Sequence, residues 1–227
     1  MYDVIVPTIH FTKVQKEFYA SLKNTDIPEK MRLLVIYNGN DIRVARWLEK
    51  NANKVWNAPK NMGVAKSWNW GSKQSKENHL ILLNDDIILP KFWLETFDWA
   101  LQENGFVSAT QIRNRDTYNK NHTQVDLKKV SFVGTGPPPG FAGCCFAVSR
   151  HAFNTIGAFD ENFTFIANDT DYFLRAKEAG FTPYRIEGFI VYHHNHFSMS
   201  RLKNEREARA KDRKGFFEKY PDKKGKL

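Results

Sequence analysis

The chain has 227 residues, 41% of them hydrophobic and 14% aromatic, enough for one sizeable packed domain or two very small ones. Its formal charge is +9, and residues 201–227 alone hold eleven Lys and Arg against five Asp and Glu. That excess suits an anionic partner, nucleic acid or a membrane surface, or else a solvated helix. No apolar run approaches the roughly 18–20 residues of a transmembrane segment.

Residues 2–6 read as a short apolar strand stopping at Pro7-Thr8, too short and without the basic start of a signal peptide. Val14, Phe18 and Leu22 stand at helical spacing and predict a helix over about 12–24. Residues 33–37 are the next strand, closed by Asn38-Gly39. A helical pattern follows, with Ile42, Ala45 and Trp47-Leu48, and Asp41 is its expected cap. Residues 54–56 are a third strand. This strand-helix rhythm predicts an α/β fold with a mainly parallel sheet. The segment Asn61-Met62-Gly63-Val64-Ala65-Lys66-Ser67-Trp68-Asn69-Trp70-Gly71 starts a helix at a glycine, which permits close backbone approach.

Leu80-Ile81-Leu82-Leu83 then ends abruptly in Asn84-Asp85-Asp86. An apolar run without alternation reads as a strand buried on both faces. Carboxylates at its end are costly unless something there needs negative charge. In open α/β sheets ligands bind at the carboxyl ends of strands, and a divalent cation with its phosphate ligand would fit that position. A helix over 92–104 follows, then a strand over 106–112. Residues 113–130 are polar and aperiodic, and 134–140, with three prolines, read as loop. Residues 141–148 read as a buried strand, with Ser149 capping a short helix. The adjacent Cys144-Cys145 are read as reduced thiols of a cytoplasmic protein, since a vicinal disulfide is strained. Asn168-Asp169-Thr170-Asp171 opens a helix that stops at Gly180. Residues 182–186 and 189–192 read as two strands, the second running into His193-His194-Asn195-His196, more histidine than packing needs. Residues 201–219 read as a basic helix.

In their order and spacing these motifs resemble family-2 glycosyltransferases of the GT-A fold. The resemblance is carried by Val6-Pro7-Thr8, Asn38-Gly39, Asn61-x-Gly63-x-Ala65-x-x-x-Asn69-x-Gly71 and Leu82-Leu83-Asn84-Asp85-Asp86. It continues with Gly143, Phe159-Asp160-Glu161, Asn168-Asp169-x-Asp171-x-x-x-Arg175 and a histidine before Ser198. It implies a single GT-A domain over 1–200, with a nucleotide-sugar-binding half (1–105) and an acceptor half (106–200), followed by a basic helix and tail (201–227). It implies an inverting hexosyl- or pentosyltransferase that takes a nucleoside-diphosphate sugar, UDP-linked by preference, and Mn²⁺ or Mg²⁺. Pro7, Thr8, Asn38 and Gly39 would lie at the nucleotide. Asn61, Gly63, Lys66 and Asn69 would help hold the donor, and Asn84 and Asp85 would stand beside the diphosphate. Asp86 would bind the metal with His193, with His194 and His196 as the fallbacks. Asp169 would be the general base, with Asp171 as second choice.

The chemistry coheres. A divalent ion offsets charge on a departing diphosphate, oxygen ligands and one imidazole suit Mn²⁺ or Mg²⁺, and a separate carboxylate deprotonates the acceptor hydroxyl. The chain departs from the family pattern at Asn84, where an Asp is usual, at Tyr37, where an acid often precedes Asn-Gly, and at Asn168, where Glu is usual. A glycan acceptor is favoured slightly over hydroxylated bases in DNA, the acceptor of viral DNA-modifying glycosyltransferases, which would place a viral-encoded enzyme in the host cytoplasm. Segment 201–227 would meet anionic membrane or nucleic acid. The rival readings are a non-catalytic nucleotide-sugar or nucleic-acid binding module on the same fold, and a metal-dependent nucleotidyltransferase.

Overall fold

The computed structural model describes residues 1–136, 140–194 and 205–223. Its N-terminal half follows the hydrophobic pattern closely. Strand β1 (Tyr2–Thr8) pairs in parallel with β2 (Met31–Tyr37) and with β4 (His79–Leu83), and β2 pairs in parallel with β3 (Lys54–Asn57). Strands β1, β2 and β4 are mostly apolar because both faces are covered, while β3 at the sheet edge is only half-buried. The two-residue side-chain period sends Val4, Val6, Ile81 and Leu83 into one core and Ile5, Leu80 and Leu82 into the other. The single buried charge of β1, Asp3, is held by a two-pronged bond to Arg32 in the next strand (2.5 and 2.7 Å).

The helices between them start where the capping residues dictate. Thr12 caps α1 (Lys13–Ser21) in a reciprocal box with Gln15, and Asp41 caps α2 (Ile42–Asn51). Helix α3 (Gly63–Gln74) begins at Gly63, with φ of +78°. A Cβ there would lie 2.7 Å from Thr164 Cγ2 and 2.8 Å from its carbonyl oxygen, so two distant loops touch only because this residue is glycine. Gly71 likewise lets α3 sit directly on Ile5 of β1.

The sheet continues past β4 through strands of mixed direction. After β5 (Ile87–Ile88), α4 (Trp93–Glu103) and β6 (Phe106–Ile112), the order across the nine-stranded sheet is β3-β2-β1-β4-β8-β6-β9-β5. Here β8 is Cys145–Ser149 and β9 is Tyr184–His193, and β7 (Ser131–Gly134) pairs with β9 off this path. The antiparallel ladders all involve β8 or β9, while β6 and β9 are parallel. One sheet therefore runs through both halves of the chain. Helices α6 (Arg150–Ile156), capped by Ser149, and α7 (Asn168–Glu178), stopped at Gly180, match their signals. Among the described residues no helix is long and apolar enough to cross a membrane.

Four local expectations are corrected. Residues 115–121 form a helix, α5 (Arg115–Asn121), within the stretch read as aperiodic; it buries only Tyr118, so it leaves no apolar stripe in the sequence. The exposed edge strand β7 was also missed. The strand read over 141–148 begins only at Cys145, because Phe141 to Cys144 are buried in a turn rather than a ladder. The two strands expected at 182–192 are one strand, β9, with Gly188 at φ +83° next to a register shift opposite β6. The C-terminal helix α8 spans Glu205–Lys219; its expected first turn, 201–204, lies outside the described residues.

Replacing Gly71 with Val is expected to destabilise the fold by about 1–3 kcal/mol, since the new methyl groups must displace Ile5 in a packed core. Urea unfolding followed by tryptophan fluorescence measures it.

Candidate active site

Parallel pairing fixes where chemistry can sit. Thr8 lies opposite Tyr37, so β1, β2 and β4 all end at the same edge, with Asn38 and Asn84-Asp85-Asp86 just beyond. Antiparallel β8 starts at that edge, where Leu83 pairs with Cys145 and the Asn84 N–H donates to the Cys144 carbonyl (2.9 Å). Strands β6 and β9 run out at the same end, with Ile112 opposite Tyr192. Finally Ile87 pairs with His193, and the His194 N–H donates to the Asp86 carbonyl (2.9 Å).

That short ladder brings two buried side chains together: His193 Nε2 stands 3.3 Å from Asp86 Oδ1. The other ring nitrogen, Nδ1, is 3.0 Å from Gln111 Oε1, which also accepts from the Cys144 thiol (3.3 Å). Gln111 thereby turns the imidazole so that Nε2 faces the carboxylate. Burial pushes the His193 pKa down, but the Cys144 sulfur and the Asp86 carboxylate outweigh it and hold the group at about 11. His194 instead turns toward α1, 3.7 Å from Glu17. His196 lies outside the described residues.

Asp169 stands in the first turn of α7. The turn is entered through Ala167 at φ +68°, a left-handed conformation unusual for a residue with a Cβ. Asp169 Oδ1 accepts from the Thr170 N–H (2.8 Å), and burial raises its pKa above the usual carboxylate value against that bond. A Cβ on Gly143 would overlap the Asp169 carboxylate, so the glycine at the start of the β8 turn makes its room. Asn84, Gln111, Gly143, Cys144, Asp169 and His193 line one cleft of about 380 Å³, together with Trp68 and Arg113.

Asp171 is not in that cleft. It is fully buried and accepts from Arg175 Nε (2.9 Å), Lys219 Nζ (2.7 Å) and Tyr220 Oη (2.9 Å), which ties α8 to α7. Asp212 does the same from the other partner: its Oδ2 accepts from the N–H groups of Phe165 and Ile166 (2.7 and 2.9 Å), in the loop that leads into Asp169. Helix α8 is therefore docked, and its Arg209 and Arg213 reach the cleft wall.

The remaining candidates divide. The Thr8 hydroxyl is buried and shares a hydrogen bond with Tyr19 Oη (2.7 Å); Pro7 lies inside β1. Asn38 is buried, donating to Ser67 Oγ (3.0 Å) and accepting from the Met62 N–H (3.0 Å). Asn61 accepts from the Gly63 N–H (3.0 Å). At Gly39 a Cβ would lie 2.5 Å from the Ile9 carbonyl and from Tyr37 Oη. Asn69 clasps Phe159, accepting from its N–H (2.8 Å) and donating to its carbonyl (2.9 Å). Lys66 faces Glu161 (3.9 Å) in a separate groove. Asp85 is buried near Tyr19, whose phenol pKa is raised by burial and further by the Asp85 charge. Sequence reasoning missed Gln111, Arg113, Arg209, Arg213 and Asp212; only the basic excess of the C-terminal segment hinted at two of them.

Among the described residues no group of three or more His, Cys, Asp or Glu side chains is arranged to hold an ion. A cation beside Asp86 and His193 would take two ligands from the protein and the rest from substrate and water, the usual habit of Mg²⁺-type sites.

Residues 3–157 match the profile of glycosyl transferase family 2, and the chain belongs to that family. No curated protein matches it in sequence. Among solved structures it resembles residues 1–349 of TarS from S. aureus, with a TM-score of 0.64 and 15% identity over 96% of this chain and 72% of that one. It also resembles the TarS 1–349 complex with UDP (TM-score 0.60, 17% identity, 86% and 58% of the two chains). A third likeness is the mannosyltransferase PcManGT from Pyrobaculum calidifontis in complex with GDP-Man and Mn²⁺, with a TM-score of 0.65 and 19% identity. The match covers 88% of this chain and 59% of that one. At these identities the likeness is one of fold, that of the GT-A glycosyltransferases.

Asp212→Ala is expected to cost about 1–3 kcal/mol, because two backbone N–H groups lose their acceptor. Faster amide exchange at Phe165 and Ile166 than in the parent protein, with β1 and β2 unchanged, is the predicted pattern.

Proposed function

We propose that this glycosyltransferase moves a sugar, by single displacement with inversion, from a nucleoside-diphosphate sugar to an acceptor hydroxyl. The observation that carries the reading is the shared cleft: His193, whose imidazole faces the buried Asp86 carboxylate, and Asp169, a separate carboxylate of raised pKa, line one space at the carboxyl edge of the sheet. The fold neighbours captured with UDP, and with GDP-Man and Mn²⁺, support a nucleotide-sugar donor, UDP-linked by preference.

Asp86 and His193 would hold Mn²⁺ or Mg²⁺. The facing oxygen and nitrogen and the Gln111 bond behind the imidazole fit that role. When bound, the ion supplies Lewis-acid stabilisation of the diphosphate charge. Asp169 takes the proton from the acceptor hydroxyl as its oxygen bonds to the anomeric carbon and the bond to the diphosphate breaks. Its burial favours this, since a carboxylate of raised pKa is a stronger base. Gly143 keeps that carboxylate in place. Asn84, an amide where an acid is usual, leaves the cation site one charge poorer and fits a contact to ribose or water. Asn38, Asn61, Asn69, Gly39 and Gly63 act through the backbone they brace, as Thr8 does through Tyr19. In this reading residues 1–105 bind the donor, 106–200 shape the acceptor side and α8 closes the cleft. A glycan hydroxyl is the preferred acceptor.

Asp169→Asn is expected to bind UDP as the parent protein does and to lose transfer by about 10²–10⁴-fold. A screen of nucleotide sugars with Mn²⁺, read as released nucleoside diphosphate, measures the loss; full activity in the variant moves the base elsewhere. Asp86→Ala is expected to abolish the thermal stabilisation by UDP with Mn²⁺. An undiminished shift would remove Asp86 from the metal site.

A further inference from the structure

Three arginines line the Asp169 cleft: Arg113 just beyond β6, and Arg209 and Arg213 one turn apart on α8. Arg209 Nε is engaged by Glu205 (2.8 Å) on its own helix. Arg113 and Arg213 are exposed and make no ion pair among the described residues. Asp169 is the one acid among the described lining residues, so the cleft carries more positive charge than its own acids neutralise.

The arginines on α8 are held, not trailing. Asp171 and Asp212 are both buried, and both are spent on docking this helix, with Phe216 buried against Phe163 and Ala167. Burying carboxylates is costly unless each is well paired. Their bonds join α8 to the segment that carries Asp169, so α8 and the base are fixed as one unit. On that unit the arginines stand beside Phe165, Ile166 and Asn168, along the wall that presents the base rather than at the ends of β1 and β2.

Resting on the reading of Asp169 as the base, we infer that the accepting hydroxyl, on a glycan unit or other polyol, belongs to a phosphate ester, whose phosphate is bound by Arg113 and Arg213 with Arg209 in support. A guanidinium fork matches phosphate oxygens two at a time. A neutral acceptor would leave exposed cations unused beside the base. A phosphate two or three carbons from the hydroxyl would be drawn in and oriented by them, and it would keep its charge at neutral pH.

The test uses the full chain and sn-glycerol 3-phosphate, a hydroxyl-bearing phosphate ester, with glycerol as the uncharged control. Binding is followed by the arginine Nε–Hε signals in nitrogen-15 NMR, with and without UDP and Mn²⁺. Glycerol 3-phosphate is expected to shift the Arg113 and Arg213 signals, while glycerol does not. Arg113→Ala and Arg213→Ala should each weaken it by roughly tenfold, in line with loss of one charge-assisted bond. Lys214→Ala, on the exposed side of the same helix, should leave it unchanged, as should UDP affinity in both arginine variants. The inference is overturned if glycerol 3-phosphate leaves these signals in place or binds all variants alike. It is equally overturned if the arginine variants lose UDP affinity instead, which assigns them to the donor. Failure of UDP to bind the parent protein would count against the nucleotide-sugar reading alone, because the glycerol 3-phosphate titration is also run without it.

Discussion

Two residue pairs, Ile87 with His193 and Ile88 with Tyr192, join segments more than a hundred residues apart, and the cleft depends on that ladder. Without it Asp86 would end a buried strand as an isolated charge, which a protein interior does not tolerate. With it, the carboxylate meets an imidazole, and Gln111 fixes which nitrogen faces inward. The strand that supplies His193 must also pair with β6 and β7, and the Gly188 irregularity lets one strand serve both. The arrangement of β9 is thus a condition for the chemistry as well as a part of the sheet.

The second constraint is close approach. Gly63 admits Thr164, and Gly143 admits the Asp169 carboxylate. Asn69 clasps Phe159, whose ring stacks on Tyr172 of α7 (4.1 Å between centroids). These contacts converge on the loop between α6 and α7 from the sheet side. Asp212 and Asp171 hold the same region from the side of α8. A left-handed Ala167 is tolerable in a loop fixed so heavily on both sides, and the strain it costs is set against these bonds.

Much of this was legible in the sequence. Strands β1, β2 and β4 announced themselves because a strand covered on both faces keeps few polar positions to confuse the pattern. Helix caps at Asp41 and Ser149 were readable because capping is a local side-chain-to-backbone bond. The acidic end of β4 and the first turn of α7 stood out as charges at element ends. What escaped had its reason elsewhere in the chain. Helix α5 buries a single residue, so no periodicity marks it. The turn at 141–144 is apolar because it is buried, and burial alone does not separate turn from strand. Asp171 looked like a second base because its partners Lys219 and Tyr220 are almost fifty residues away. Gln111 has no signature at all, since its role exists only through the imidazole it touches. The basic C-terminal helix was expected, but its docking rests on two carboxylates that the net charge conceals.

The account turns on His193 and Asp86 forming a cation site that is completed by the donor diphosphate. Electron spin-echo spectroscopy of Mn²⁺ added to the protein with UDP reads this directly. The account predicts nitrogen-14 coupling from one imidazole, present with UDP and lost in His193→Asn. Coupling that persists in that variant, or no nitrogen coupling in the parent complex, would contradict it.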